Sequence, residues 1–190
     1  MTDSAALRLF VATKLPDALG DAIEGIAKPL RNRLPRGSWL RPHSVHLTLA
    51  FLGDQPGSIV APLGSSLSSS VAAVDAFEAN VSGSGFFPDA RRPRVGWLGL
   101  TPEERFRELA HAVRETLERE GVDYDRKPFT PHLTVVRARE RWSRSDAETF
   151  ERAFSELRTP PFRLPEVILF SSELRPEGAV HTARATARLG

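Results

Sequence analysis

The sequence predicts an α+β fold of mixed or antiparallel sheets arranged about a pseudo-two-fold axis, and three observations carry that prediction. The tetrapeptide His46-Leu47-Thr48-Leu49 recurs as His132-Leu133-Thr134-Val135. The order strand, helix, His-strand, helix, strand occurs twice, with 37 residues from Leu9 to His46 and 35 from Trp97 to His132. Such self-similarity points to an internal duplication. Strands and helices interleave, yet several strand pairs read as hairpins, which favours α+β over a doubly wound parallel sheet. The expectation is one domain over residues 1–190, duplicated at approximately 6–90 and 94–190. A two-fold would bring the two His-strands together across a central cleft.

The elements follow in order. Residues 7–12 read as a strand, and Pro16 then opens an amphipathic helix to about residue 34, with Leu19, Ile23, Ile26 and Leu30 at helical spacing. Pro35-Arg36-Gly37 breaks it. Trp39-Leu40 and residues 45–52 carry the first His motif, which Gly53 closes. A helix is expected over 58–74, because Leu63, Leu67 and Val71 recur every four residues through a serine-rich stretch. Strands follow at 77–87 and 94–100. Pro102 opens a helix to about residue 120, with Phe106, Leu109, Val113 and Leu117 on one face, and Gly121 ends it. Pro128-Phe129-Thr130-Pro131 leads into the second His motif. A helix over 145–157 takes Ser145 as its expected N-cap, and strands at 166–173 and 179–189 close the chain.

Composition narrows the chemistry. The chain has 190 residues, 41% hydrophobic and 26% charged, which is enough for a real core. It has no cysteine, so disulfides, zinc-thiolate sites and thiol nucleophiles are excluded. Residues 1–4 lead straight into a strand-like run without a charged segment and apolar core, so no signal peptide is expected. No apolar run approaches a membrane span. The expected place is the cytoplasm. Net charge is +2, too small in itself to indicate a nucleic-acid binder. Lys14, Lys28 and Lys127 are the only lysines among 26 basic residues. An arginine excess suits bidentate phosphate contacts, although a GC-rich genome produces the same bias.

The repeated tetrapeptide carries the chemistry. Side chains in a strand alternate faces, so His46 and Thr48 share one face while Leu47 and Leu49 share the other. His132 and Thr134 repeat this against Leu133 and Val135. Two imidazoles facing each other can act as acid and base near neutral pH. Without another nucleophile, such a pair suits in-line displacement at phosphorus. One imidazole removes a proton from water or a hydroxyl, and the other protonates the leaving oxygen. The threonine hydroxyls can bind the non-bridging oxygens. Arg137, five residues after His132, falls on the opposite face of a regular strand, and only a bend or bulge would turn it toward the phosphate. A metal site fits poorly, since each motif offers one imidazole and one weak hydroxyl with no adjacent carboxylate or thiolate.

On these residues the chain resembles the two-histidine phosphoesterase superfamily, and within it the RNA 2',3'-cyclic phosphodiesterases, also called 2'-5' RNA ligases. The matching segments are Arg8-Leu9-Phe10-Val11-Ala12, residues 38–53, Val95-Gly96-Trp97-Leu98-Gly99, residues 127–137 and Val167-Ile168-Leu169-Phe170-Ser171-Ser172. Together they span essentially the whole chain in order. The resemblance implies a bilobal fold, helices outside and the two motifs facing each other in a cleft. It implies hydrolysis of an RNA terminal 2',3'-cyclic phosphate to a 2'-phosphate, with no metal or other cofactor. His46 would protonate O3' and His132 would activate water, though the near symmetry of the site leaves that division open. Thr48, Thr134 and Arg137 would hold phosphate oxygens. The reverse reaction would join a cyclic phosphate end to a 5'-hydroxyl in a 2'-5' linkage, with the same acid and base exchanging roles. The implied partner is RNA with a cyclic phosphate end, tRNA fragments and small cyclic nucleotides among the candidates, acted on by a monomer with no membrane partner.

His43 departs from the family, which commonly has an acidic or amide residue there. A solvated loop residue is the simpler reading of it, and a structural role the simpler reading of His111 and His181. Phe51 and Trp39 offer faces for a base, but core packing is expected of both. Two readings compete with an RNA phosphodiesterase. One keeps the chemistry and takes a small nucleotide. The other is a non-catalytic RNA-binding module, for which two intact His/Thr pairs have no use.

Overall fold

A computed structural model describes residues 6–175 and 178–190. The chain start, where no leader was expected, lies outside the described residues, as do 176 and 177. The elements run β1 (Ala6–Lys14), α1 (Asp17–Leu30), β2 (Gly37–Trp39), β3 (His46–Pro56), α2 (Val60–Val71), β4 (Phe77–Phe87), β5 (Val95–Thr101), α3 (Glu103–Arg119), β6 (His132–Ala138), α4 (Arg144–Ser155), β7 (Phe162–Leu164), β8 (Glu166–Arg175) and β9 (Gly178–Arg188). They form two sheets in the orders β3-β1-β8-β9 and β2-β6-β5-β4-β7, with every pairing antiparallel. The α+β class read from the sequence is therefore the one observed. Each sheet draws strands from both halves of the chain: β8 joins β1 in the first, and β4 joins β5 in the second.

The helices cover the outer faces. α2 packs on β8 and β9, α3 on α2, β3 and β5, and α4 on β4 and β5. Their buried stripes carry Leu63, Leu67 and Val71, then Phe106, Leu109, Val113 and Leu117, then Phe150 and Phe154. These meet the aliphatic backs of the sheets, including Leu9, Leu47, Leu98 and Leu133. No described helix is long and apolar enough to cross a membrane.

Several boundaries differ from the sequence reading, each for a local reason. α1 stops at Leu30 rather than residue 34: Pro35 disfavours the helical conformation at Leu34, and residues 31–34 close the end as a turn, with the Leu34 N–H donating to the Leu30 carbonyl. Leu34 stays buried in the turn beyond. β3 runs past Gly53, which sits at φ +71° where the register with β1 shifts, so the residue read as a terminator lets the strand bulge and continue. α4 is capped by Ser143 rather than Ser145. The Ser143 hydroxyl accepts from the Asp146 N–H, and the Asp146 carboxylate accepts from the Ser143 N–H. The short strands β2 and β7 are too brief to show a period.

Gly20 shapes the approach to the first His motif. A Cβ there would strike the Pro42 carbonyl, so its absence lets α1 seat against the 3-10 turn Pro42–Ser44 that delivers the chain to His46.

Candidate active site

The His-strands are built alike. From His46, β3 reads half-buried, buried, half-buried, buried, buried, half-buried, and from His132, β6 repeats the first five positions. Leu47 and Leu133 are each 0% exposed and hold the strands from behind. Each strand also breaks its alternation at the same place. Ala50 pairs with Val11 and Thr48 with Ala12, leaving Leu49 extra; Val136 pairs with Gly96 and Thr134 with Trp97, leaving Val135 extra. These are β-bulges, and each returns the following odd residue to the histidine face. That residue is Phe51 in β3 and Arg137 in β6.

His46, Thr48, His132, Thr134 and Arg137 consequently line one cleft of about 590 Å³. All five candidate residues meet there, and the bulge supplies the turn that Arg137 required.

The imidazoles are held identically. His46 Nδ1–H donates to the Ser44 carbonyl at 2.8 Å, and His132 Nδ1–H donates to the Thr130 carbonyl at 2.7 Å. Each acceptor lies two residues upstream. Pinning Nδ1 fixes the tautomer and leaves Nε2 as the nitrogen able to take or give a proton. His46 also packs on Phe10, with centroids 5.4 Å apart, and His132 stands edge-to-face on Phe87 at 4.9 Å. Burial holds both imidazoles below the ordinary histidine range; the carbonyl bonds oppose that, and the Arg137 guanidinium reinforces it in both. Arg137 therefore acts on both rings from a place where it can also meet an anion.

The other expectations divide. His111 is exposed on α3 beside Glu115. His43 is exposed, with its Nδ1 4.0 Å from the Asp17 carboxylate, in the wall of an adjoining cavity of about 450 Å³. Trp39 packs on the core against Trp142 and Phe150 while also reaching the cleft. Phe51 is a cleft-wall residue rather than a core one, with the Arg8 guanidinium 4.8 Å over its ring. His181, read as structural, lies in the cleft wall 5.3 Å from His46, centroid to centroid. The β8–β9 register sets it there opposite Ser172, a pairing no local pattern foretells.

This arrangement offers two proton carriers, two hydroxyls and the Arg137 guanidinium at one cleft, whose wall also holds Arg8 and Arg41. Proteins already known resemble this chain in sequence and in frame. The family model described as the 2'-5' RNA ligase superfamily matches residues 15–175. A Thermus thermophilus protein named RNA 2',3'-cyclic phosphodiesterase is 34% identical over 198 residues, covering 93% of this chain and 87% of that one. A Geobacillus stearothermophilus protein of the same name is 30% identical across 95% of this chain, and the chain spans 57% of that relative's length. A crystal structure of TT0787 of Thermus thermophilus superposes with TM-score 0.77 at 27% identity, covering 96% of this chain and 98% of that one. With the family match running from the end of β1 to the end of β8 and the fold shared throughout, this chain belongs to the 2'-5' RNA ligase superfamily.

Proposed function

We propose that the protein hydrolyses the terminal 2',3'-cyclic phosphate of RNA to a 2'-phosphate, with His46 and His132 as the proton-transfer pair. The observation that carries this reading is the matched pinning of both Nδ1 atoms, which leaves two Nε2 atoms for one cleft shared with Arg137. His132 Nε2 takes a proton from water as the water oxygen attacks phosphorus. The P–O3' bond breaks, and His46 Nε2–H gives its proton to O3', leaving the phosphate on O2'. Thr48, Thr134 and Arg137 hold the non-bridging oxygens, where charge builds in the transition state. With an RNA 5'-hydroxyl in place of water the displacement runs in the same direction: His132 takes the hydroxyl proton, His46 protonates O3', and the phosphate left on O2' is joined in a 2'-5' linkage.

Finer points belong to the same reading. The chemistry needs no metal. Candidate substrates are tRNA fragments and small cyclic nucleotides, and Phe51 beneath Arg8 offers a face on which a base can stack. The protein works as a monomer in the cytoplasm. The matched bulges and matched Nδ1 bonds support an internal duplication with halves near 6–90 and 94–190, in which β4 and β8 are exchanged between the sheets.

The test is incubation with a short RNA ending in a 2',3'-cyclic phosphate in the presence of EDTA, with the product read by phosphorus NMR. A 2'-phosphate from the wild type, and none from His46→Ala or His132→Ala, is the expected result. A 3'-phosphate, or turnover abolished by EDTA, would overturn the regiochemistry or the metal independence. A mononucleotide cyclic phosphate run in parallel separates the substrate classes.

A further inference from the structure

His181 is the imidazole that the two-histidine chemistry leaves over. It lines both the cleft and the adjoining cavity, so it stands in their shared wall beside His46. Its ring meets His46 edge-to-face at 5.3 Å and Phe10 edge-to-face at 4.9 Å. Nothing comparable stands beside His132 among the described residues. The strand β9 runs along the whole of β8, from Glu166 to Arg175, whereas β7 pairs only with residues 77–79 of β4 and never reaches Phe87, the ring on which His132 rests.

The hydrogen bonding of this third ring is inverted. His181 Nδ1 is buried and has no hydrogen-bond partner among the described residues. A buried N–H without an acceptor is tolerated less well than a bare nitrogen, so the proton of the neutral ring belongs on Nε2. Burial, and the neighbouring His46 when it is charged, hold His181 below the ordinary histidine range, which keeps the ring neutral at pH 7. His46 and His132, with Nδ1–H bound to carbonyls, present a bare Nε2 when neutral. His181 presents the opposite face, a fixed N–H.

We infer that His181 is a third substrate-contacting imidazole, donating its Nε2–H to an oxygen of the cyclic phosphate on the His46 side. It moves no proton. A neutral donor aimed where the leaving ribose oxygen or a non-bridging oxygen gathers charge stabilises the transition state, and it sets the two sides of an otherwise matched site apart. This inference rests on the reading of the cleft as a cyclic phosphodiesterase site.

Histidine-labelled 15N protein titrated with adenosine 2'-monophosphate, a 2'-phosphate of the product class, tests it without turnover. The expected spectrum has His181 protonated on Nε2, with that nitrogen shifting as the site fills. A proton on Nδ1, or a still His181 while His46 and His132 shift, overturns the inference alone. If no histidine shifts, the reading of the cleft falls and this inference with it. Kinetics with the RNA substrate give a second readout. His181→Phe, which keeps a ring against Phe10, should lose about tenfold or more in kcat/KM. His181→Gln, which restores a donor, should recover most of it. Equal losses in both variants, or no loss in His181→Phe, would overturn the assignment.

Discussion

The strand carrying His46 and the strand carrying His132 match for five residues and part at the sixth. Both place an imidazole and a hydroxyl on one face, bury two aliphatics behind them, and bulge at the fourth residue. After the bulge, β3 returns Phe51 to the cleft and β6 returns Arg137. The same backbone device thus delivers an aromatic face on one side and a guanidinium on the other. Beyond the strands the sides part again, since among the described residues only the His46 side has a full-length covering strand, which brings His181. What the sides share is suited to symmetric proton transfer, and under the proposed function what they do not share would orient the substrate. A cyclic phosphate has two different ends, a nucleoside and an attacked phosphorus, and a site that was symmetric throughout could not tell them apart.

The shared half should break hardest. His46→Ala and His132→Ala are each expected to lose on the order of 10²–10⁴-fold in kcat, as removal of a general acid or base does. The double variant should fall little further, because the pair acts as a unit. Single-turnover hydrolysis measures this, and a large loss in only one single variant would break the equivalence of the sides. Next comes the residue that breaks the symmetry toward phosphate. Arg137→Gln should lose roughly 10²-fold in kcat, the scale of one transition-state donor. Phe51→Leu keeps the apolar wall and removes the stacking face, so KM for RNA should rise about tenfold with kcat nearly unchanged. An equal effect on a mononucleotide without a neighbouring base would place the stacked base at the cyclic end itself. Away from the cleft, Ser143→Ala removes the reciprocal cap of α4 and should cost about 1 kcal/mol in urea unfolding with full activity retained.

The shared half was legible because a strand's period of two is written in the sequence: His and Thr at alternate positions, with Leu47, Leu49, Leu133 and Val135 between them. The unshared half was hidden by features that alternation does not record. Arg137 reaches the cleft through an extra residue, and a regular strand would have sent it to the far face. The signal was present in both copies, in the consecutive apolar pairs Leu49-Ala50 and Val135-Val136, which a half-buried strand without a bulge has no reason to place together. Phe51 follows from the same bulge. His181 lies 135 residues from His46 and reaches it through the β8–β9 register and the β1–β8 pairing, contacts that no local pattern encodes. The class of fold was readable from order and spacing, whereas the placing of β8 beside β1 depends on long-range pairing alone.

The pH dependence of kcat/KM tests the central claim most directly, because it reports the free enzyme's acid and base together. Burial and Arg137 depress both imidazoles, so a bell is expected with both limbs on the acid side of about pH 6.5, the ordinary histidine value. Arg137→Gln removes a positive charge that disfavours both imidazolium forms, so the limbs should move toward higher pH. A profile flat between about pH 5 and 8, the range in which imidazoles titrate, would contradict paired-imidazole catalysis in this cleft.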